Sequence, residues 1–200
     1  MEKIIGQGAE ALIILNKNII KRRQKKSYRL AELDEKIRSQ RTKKEFKLLQ
    51  KASKYISTPS VIKLNEKSKE IEMEFIDGQK LSEKLDSLPN KIKICQLIGN
   101  SIAKIHDQDI IHGDLTTSNM IYKDNKVYFI DFGLGFTSKR DEDKAVDLHL
   151  IKEALEAKHF SIAEECFKAI IKGYSISKNL QKVLERLKKV EARGRYKNQY

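Results

Sequence analysis

Three oxygen-bearing side chains, Asp114, Asn119 and Asp131, stand at a spacing that suits phosphoryl transfer. Asp114 and Asn119 lie five residues apart in one polar stretch, and Asp131 begins an Asp-Phe-Gly triplet twelve residues later. An amide and a carboxylate oxygen suit Mg²⁺, which takes one or two protein ligands together with substrate phosphates. We therefore expect Asn119 and Asp131 to hold Mg²⁺, with Asp114 as the base or orienting group for a nucleophile, as in the protein-kinase arrangement.

A predicted hairpin brings two of these residues together. Residues 120–122 and 127–130 are rich in β-prone residues, and the turn-forming residues 123–125 separate them. Since a hairpin returns to its starting edge, Asn119 and Asp131 are expected to meet there.

The first fifteen residues are predicted to form two strands around a tight turn. Gly6, Gly8 and Ala9 in that turn would allow backbone N–H groups to approach phosphates closely. The kinase pattern G-x-G-x-x-G is incomplete, because Ala11 stands at its third glycine position. Without the later motifs, a plain hairpin would be the preferred interpretation.

Lys21 lies on the next predicted strand, where a lysine would reach the α- and β-phosphates of a nucleotide. A buried lysine needs an acidic partner to offset the loss of hydration. Residues 30–55 are predicted to be mainly helical, and Glu45 on that helix is the preferred partner. Glu35 is the alternative, and either carboxylate would otherwise be a surface group.

A hinge is predicted after a second hairpin, formed by residues 61–64 and 70–76. The backbone of Glu74, Phe75 and Ile76 would hydrogen-bond an adenine ring. The sequence then predicts three parts: an N-terminal kinase lobe (1–77), a C-terminal kinase lobe (78–192) and a basic tail (193–200).

The remaining chain is predicted to be mostly helical. His106 and His112 are interpreted as structural, and Asp147 is expected to tie its helix back to the catalytic loop. The sequence has no Ala-Pro-Glu motif and no long activation segment. The fold class is therefore α+β: a minimal bilobal kinase-like fold with a small antiparallel sheet and one main helix, followed by a helical lobe. Its predicted helices are 81–88, 92–107, 145–158, 160–173 and 177–190.

The net charge of +13 is concentrated in two blocks. Residues 17–54 hold 15 Lys and Arg against four Asp and Glu, and residues 178–200 hold eight against two. These blocks are either solvated helix faces or contacts with a polyanion such as RNA. Arginines beside tyrosines make Arg193, Arg195 and Lys197 candidates for tRNA or phosphate contact.

The sequence predicts a soluble, cytoplasmic protein with no membrane contact. Two distant cysteines without metal-ligand spacing are typical of a reducing compartment. No apolar run approaches membrane-spanning length.

The whole chain resembles the small atypical, RIO-like Ser/Thr kinase/ATPase subunit of the KEOPS complex, which serves tRNA threonylcarbamoyl-adenosine synthesis. The motifs that carry the resemblance are G-Q-G-A-E-A from Gly6, Y-R from Tyr28, L-D from Leu33, R-T from Arg41 with Glu45, H-G-D-L-T-T-S-N from His112, D-F-G-L from Asp131, E-D-K-A-V-D-L from Glu142 and R-G-R from Arg193. In that family the R-G-R motif ends the chain, whereas five residues follow it here.

The resemblance implies ATP and Mg²⁺ as cofactors, with ATP hydrolysis and Ser/Thr phosphorylation as activities. It also implies docking of the C-terminal lobe onto the threonylcarbamoyl-transferase subunit, docking of the N-terminal lobe onto a small accessory subunit, and tRNA held by basic patches. Three other functions stay open: an aminoglycoside- or choline-type small-molecule kinase, a nucleotide-binding scaffold, and a protein kinase with a dedicated substrate.

Overall fold

The computed structural model describes residues 3–8 and 10–195. Its N-terminal part is a five-stranded antiparallel sheet in the order β1-β2-β3-β5-β4. The strands are β1 (Lys3–Gln7), β2 (Ala11–Asn16), β3 (Asn18–Arg23), β4 (Val61–Asn65) and β5 (Glu70–Met73). Lys17 alone separates β2 from β3, and its positive φ of 58° makes the tight reversal possible.

Helix α1 (Ala31–Ala52) packs against this sheet and matches the helix predicted for residues 30–55. It buries Leu48, Leu49 and Ala52 in the hydrophobic core, as an amphipathic helix does. Its buried face also contains a charged residue, Glu45, which is 1% exposed. A buried carboxylate requires partners, and the sheet supplies them.

The C-terminal part is mostly helical and contains two small β-ladders. Its helices are α2 (Leu81–Lys84), α3 (Lys91–His106), α4 (Asp141–Lys158), α5 (Ala163–Tyr174) and α6 (Leu180–Arg195), with 3₁₀ turns at Leu85–Ser87, Thr117–Asn119 and Phe160–Ile162. Its strands are β6 (Gln79–Lys80), β7 (Ile110–Ile111), β8 (Met120–Lys123), β9 (Lys126–Phe129) and β10 (Phe136–Thr137).

The predicted hairpin is present as β8 and β9. Asp124 and Asn125 connect the two strands, with φ values of 48° and 59°. Two positive φ angles are typical of a type I′ hairpin turn, which Asp and Asn tolerate well. Strand β6 pairs with β8, so that β6, β8 and β9 form a three-stranded sheet, which the sequence did not predict.

Helices α3 and α5 cross with their backbones in contact in the C-terminal core. A Cβ atom on Gly99 would lie 1.9 Å from the carbonyl oxygen of Ile170, and one on Gly173 would lie 2.0 Å from that of Gln96. Only glycine permits this approach. The surrounding core buries Ile94, Ile98, Ile102, Ile105, Leu148, Ile151, Leu155 and Tyr174.

Several predicted helix boundaries differ from the structure. Residues 85–87 and 160–162 form 3₁₀ turns, so α2 ends at Lys84 rather than at residue 88, and α5 begins at Ala163 rather than at residue 160. Helix α4 begins at Asp141 rather than at residue 145, because the three acidic residues 141–143 occupy its first turn and favour the positive end of the helix dipole. Helix α6 begins at Leu180 rather than at residue 177, since Ser177 forms a turn and donates to Asp107 Oδ1 at 2.8 Å. It also runs to Arg195, past the predicted start of the basic tail at residue 193.

The observed fold is the predicted α+β class, with an antiparallel sheet and one long helix followed by a helical lobe. Among the described residues, no helix is both long and apolar enough to span a bilayer.

Candidate functional site: a nucleotide-sized cleft between the lobes

A cleft of about 420 Å³ lies between the N-terminal sheet and the helical lobe. The sheet and α1 supply one wall, and the β8–β9 hairpin with its flanking residues supplies the other. Among the lining residues are these predicted site residues: Gly6, Lys21, Glu45, Glu74, Phe75, Ile76, Asn119 and Asp131. The folded chain therefore brings together residues up to 125 positions apart in the sequence.

Lys21 joins both walls of the cleft. Its Nζ lies 2.7 Å from Glu45 Oε1 and 2.7 Å from Asp131 Oδ1. The lysine is 7% exposed and Glu45 is 1% exposed, so this pair is largely shielded from solvent. The preferred sequence partner, Glu45, is thus the residue in contact, whereas the alternative, Glu35, is exposed and pairs with Lys69 and Arg38 instead.

The charged state of this cluster is stabilised by its own geometry. Burial by itself lowers the pKa of Lys21, but the carboxylates of Glu45 and Asp131 outweigh it, and the pKa lies above its ordinary value. Burial likewise raises the pKa of Asp131, and the Lys21 ammonium and the Gly133 N–H outweigh it, so the net shift is downward. Both groups are therefore ionised at neutral pH.

Asp114 and Asn119 meet in the loop after β7. The Asn119 amide nitrogen donates to the backbone oxygen of Asp114 at 3.0 Å and to its Oδ2 at 2.8 Å. This orientation leaves the Asn119 amide oxygen as the atom available to a cation. The backbone oxygen of Asn119 accepts a hydrogen bond from Ile130 N at 3.0 Å, so the hairpin ends do meet, as its turn signal predicted.

The conformation of the Asp-Phe-Gly triplet is restricted by its backbone and by close packing. Asp131 has a positive φ of 62°, a conformation that is costly for a residue other than glycine and that recurs at functional sites. Phe132 is fully buried and packs against His112, with ring centroids 4.5 Å apart. Gly133 sits so close to Asp131 that an added Cβ would lie 2.9 Å from its Oδ1.

The glycine turn and the hinge flank the cleft at its sheet side. Gly8 N donates to the Ala11 oxygen at 2.9 Å, which closes the predicted tight turn. Gly6 lines the cleft, and Ala9 lies outside the described residues. Residues 74–76 leave the sheet as an extended segment rather than continuing β5, with Glu74 N bonded to the Ser60 oxygen.

Comparison with known proteins decides the family. Residues 15–148 match the RIO domain model. The chain is 41% identical over 98% of its length to the KEOPS complex subunit Bud32 of Pyrococcus abyssi, and covers 96% of that protein. The chain belongs to the RIO-domain family. Within the family, it groups with KEOPS complex subunit Bud32.

Other relatives of this RIO domain are longer proteins. It is 44% identical to a probable bifunctional tRNA threonylcarbamoyladenosine biosynthesis protein of Methanobrevibacter smithii, and 41% identical to one of Methanococcus vannielii. The two alignments cover 98% and 96% of this chain but only 37% and 36% of those longer proteins.

A solved structure supports the fold. The RIO domain superposes on the Rio2 kinase–ADP/Mg²⁺–phosphoaspartate complex of Chaetomium thermophilum with a TM-score of 0.61 at 16% identity. The match covers 96% of the chain and 70% of that structure.

Asp147 holds the backbone of the loop that leads to Asp114. One carboxylate oxygen accepts from His112 N at 2.7 Å and the other from Gly113 N at 2.8 Å. The first oxygen also contacts His106 Nε2, and His106 in turn contacts the Tyr174 hydroxyl at 3.0 Å. The structural roles predicted for Asp147, His106 and His112 agree with these contacts.

Arg23 contacts Glu45, a residue of the cleft wall, and the sequence pattern did not predict this contact. Its Nη2 lies 2.5 Å from Glu45 Oε2, while Lys21 contacts the other oxygen of the same carboxylate. Arg23 is 5% exposed. The two-residue spacing from Lys21 places both side chains on one face of β3, and this strand alternation was the available signal.

A second missed feature is a hydrogen-bonded chain behind the catalytic loop. Thr117 Oγ1 lies 3.0 Å from His159 Nε2, and His159 Nδ1 lies 2.9 Å from Asp86 Oδ2. Thr117 and His159 are each 1% exposed, so this chain of hydrogen bonds supports the Thr117–Asn119 turn from the protein interior. No short sequence spacing connects these three residues.

Of the three residues predicted to contact tRNA or phosphate, only the side chain of Arg193 is described. Arg193 on α6 lies 2.6 Å from Glu142 Oε1 at the start of α4. The side chain of Arg195 and the whole of Lys197 lie outside the described residues.

Proposed function

We propose that this chain is an ATP-dependent atypical Ser/Thr kinase/ATPase that supports threonylcarbamoyl-adenosine modification of tRNA as a KEOPS subunit. The names of the relatives supply the assembly and the modification. One observation carries the chemistry: Lys21 bridges Glu45 and Asp131 in a cleft that Asn119 also lines. RIO-family membership supports ATP phosphotransfer as the reaction class.

ATP would enter with its adenine against the segment from Glu74 to Ile76. The cleft is lined there by Ile19, Met73 and Ile121, an apolar surface suited to a flat ring. The turn at Gly6, Gly8 and Ala9 would cover the phosphates, and the Lys21 ammonium would neutralise charge on the α- and β-phosphates. Glu45 holds that ammonium in place.

The donor set at the cleft fits Mg²⁺. The Asn119 amide oxygen and the Asp131 carboxylate are hard oxygen donors, and Mg²⁺ completes its shell with water and phosphate oxygens. No cluster of three or more His, Cys, Asp or Glu residues suited to a metal occurs in the described part of the chain, so a protein-only cage is not the arrangement here. When bound, the ion would neutralise charge on the phosphates.

Asp114 would orient the attacking oxygen. Its Oδ2 accepts from Asn119, and its loop backbone is anchored through Asp147. In that position its carboxylate would accept a hydrogen bond from a water or hydroxyl aligned with the γ-phosphate. Most of the catalysis would then be positioning and charge neutralisation rather than covalent chemistry.

The assembly assigns a role to each part of the chain. The N-terminal lobe (1–77) would dock on a small accessory subunit, and the C-terminal lobe (78–192) on the threonylcarbamoyl-transferase subunit. Basic patches, including the tail (193–200) with Arg193, Arg195 and Lys197, would contact tRNA. Fusion with a longer protein, as in the bifunctional relatives, is compatible with this placement.

The test is ATP hydrolysis by the purified chain, alone and with added tRNA and transferase subunit, beside the Asp131→Ala variant. We expect tRNA and the transferase subunit to stimulate ATP hydrolysis by the wild-type chain, and we expect the variant to lose this stimulation. Strong phosphorylation of an amino sugar, choline or an unrelated protein, indifferent to tRNA and transferase, would overturn the proposal. ATP binding without any turnover would instead indicate a nucleotide-binding scaffold and would also overturn it.

A further inference from the structure

A second concave surface lies on the chain away from the cleft, where α1 ends and β4 begins. It consists of two adjoining open cavities of about 350 and 620 Å³ that share Ser53 and Lys54. None of its lining residues also lines the cleft between the lobes. We call it the lysine groove, after the five lysines that line it: Lys47, Lys51, Lys54, Lys104 and Lys126.

The lysine groove carries positive charge only. The residues that line it include no Asp or Glu. Of the five lysines, none has a carboxylate of the described chain within 4.0 Å, and Lys51 alone has a hydrogen bond, to the Gln108 backbone oxygen at 3.0 Å. Ammonium groups gathered in one concavity repel each other, so the arrangement favours an anionic ligand.

Some of the cations along α1 are paired with carboxylates and others are not. Arg38, Arg41 and Lys43 each contact a carboxylate, at 2.7, 2.9 and 2.9 Å. Lys47 and Lys51, in its last two turns, face the groove without one. The helix dipole favours a cation in a last turn, which accounts for Lys51. It gives no reason for Lys126, which lies on a strand.

The neutral side chains of the groove match the chemistry of RNA. Hydroxyl and amide groups from Ser53, Ser57, Ser60, Ser101, Gln50, Asn100 and Asn125 line it. Such groups bind phosphate and sugar oxygens, including the ribose 2′-hydroxyl. Tyr55 adds an aromatic ring, 38% exposed, on which a base could stack.

We propose that the lysine groove binds the phosphodiester backbone of RNA. This inference rests on the proposed function, since it assigns a surface to the tRNA of that assembly. The groove and the cleft have separate linings, so RNA and nucleotide would be held at the same time. The loop from Ser53 to Ser60 connects them, because its Ser57 oxygen accepts from Phe129 N, two residues before Asp131.

The experiment measures binding of tRNA by the full chain at a series of salt concentrations. Binding is detected by the fluorescence anisotropy of an in vitro transcribed, fluorescein-labelled tRNA. The test variant is Lys54→Gln/Lys104→Gln/Lys126→Gln. The matched control is Lys84→Gln/Lys158→Gln/Lys172→Gln, which removes the same charge from exposed positions on α2, α4 and α5, outside both basic blocks.

We expect the test variant to bind tRNA at least about tenfold more weakly than the wild type near 0.1 M salt. A plot of the logarithm of the binding constant against the logarithm of the salt concentration is expected to have a slope shallower by roughly two. Each lost phosphate contact changes that slope by about 0.7 to 0.9. The control is expected to keep the wild-type slope. Equal losses in both variants would show that net charge alone matters and would overturn the proposal. So would wild-type binding by the test variant.

Two further readouts separate this proposal from the proposed function. Basal ATP hydrolysis and the melting temperature of the test variant are expected to equal those of the wild type, because its three lysines lie outside the cleft. If the chain bound tRNA through the lysine groove but never hydrolysed ATP, the proposed function would be wrong while the RNA-binding role of the groove would still stand. Preferential binding of a polyglutamate peptide over tRNA would assign the groove to an acidic protein and overturn the RNA assignment.

Discussion

Lys21 Nζ contacts Glu45 Oε1 and Asp131 Oδ1 at the same distance, 2.7 Å. One ammonium group therefore joins the long helix of the N-terminal lobe to the Asp-Phe-Gly carboxylate of the C-terminal lobe. The Asp131 side chain is 42% exposed while that of Glu45 is 1% exposed. The contact on the solvent side is the one that an entering ligand would rearrange, and the buried contact with Glu45 would persist.

Asp131→Ala is expected to reduce ATP turnover on the order of 100-fold or more, because it removes a proposed metal donor and one of two carboxylates on Lys21. Phosphate release under saturating ATP measures it. The control is Glu156→Ala, which removes an exposed carboxylate on α4. Turnover near that of the wild type in Asp131→Ala would contradict the assignment of this residue.

Glu45→Ala is expected to lower the free energy of unfolding by about 3–5 kcal/mol, since it leaves two buried cations, Lys21 and Arg23, without their shared carboxylate. Urea denaturation followed by circular dichroism measures the change. Glu164→Ala is the control: its carboxylate is 84% exposed and pairs with Lys168, which is 73% exposed, so the expected loss is small by comparison.

If Glu45→Ala does not fold, Glu45→Gln provides the measurement, because the amide keeps the size and one acceptor oxygen of the carboxylate. Equal stabilities for the Glu45 and Glu164 variants would show that the buried bridge is not a structural requirement.

Thr117→Val is expected to destabilise the chain by about 1–3 kcal/mol, because it leaves His159 Nε2 buried without a partner. Turnover of ATP is expected to fall as well, since the Thr117–Asn119 turn carries the proposed metal donor. Thr116→Val is the control, as no side-chain hydrogen bond of Thr116 occurs within the described residues. Identical unfolding curves for the two variants would show that the buried chain does not support the turn.

His112 makes stability depend on pH. Burial lowers its pKa, and nearby carboxylates, Asp147 first, only partly oppose that shift. A histidine with a lowered pKa in the folded state contributes full stability above its unfolded pKa of about 6.5, and this stability is lost as the pH falls from there toward the folded value.

We therefore expect the free energy of unfolding to fall below about pH 6.5, and His112→Gln to reduce that slope by up to roughly 1.4 kcal/mol per pH unit. Urea denaturation at a series of pH values measures both slopes. The interval from about pH 7.5 to 8.5, where His112 is neutral in both states, serves as the internal reference. An unchanged acid slope in the variant would contradict this account.

Local patterns in the sequence predict most of the elements, whereas long-range contacts decide the rest. The β8–β9 hairpin and α1 follow from their own residues, and the choice of Glu45 follows from the position of Lys21. In the sequence, Arg23 is one of many cations in a basic block, and only the folded structure shows its contact with Glu45. The Asp86–His159–Thr117 chain joins residues 73 and 42 positions apart, so no local spacing could reveal it.

Boundaries were missed for a related reason. Acidic residues at the start of α4 are typical of a loop by polarity but stabilise a helix N-terminus by charge. The last turn of α6 contains residues that are bonded to α4, through Lys152–Glu191 and Arg193–Glu142. A basic segment that would be a tail in isolation is thereby kept helical.

The backbone contact between α3 and α5 at Gly99 and Gly173 also has a mechanical consequence. Helices separated by a layer of side chains can slide by changing rotamers, but these two have no such layer where they cross. The α3–α5 pair is therefore expected to behave as one rigid unit. A change in the width of the cleft would have to come from displacement of other elements relative to this unit, not from sliding within it.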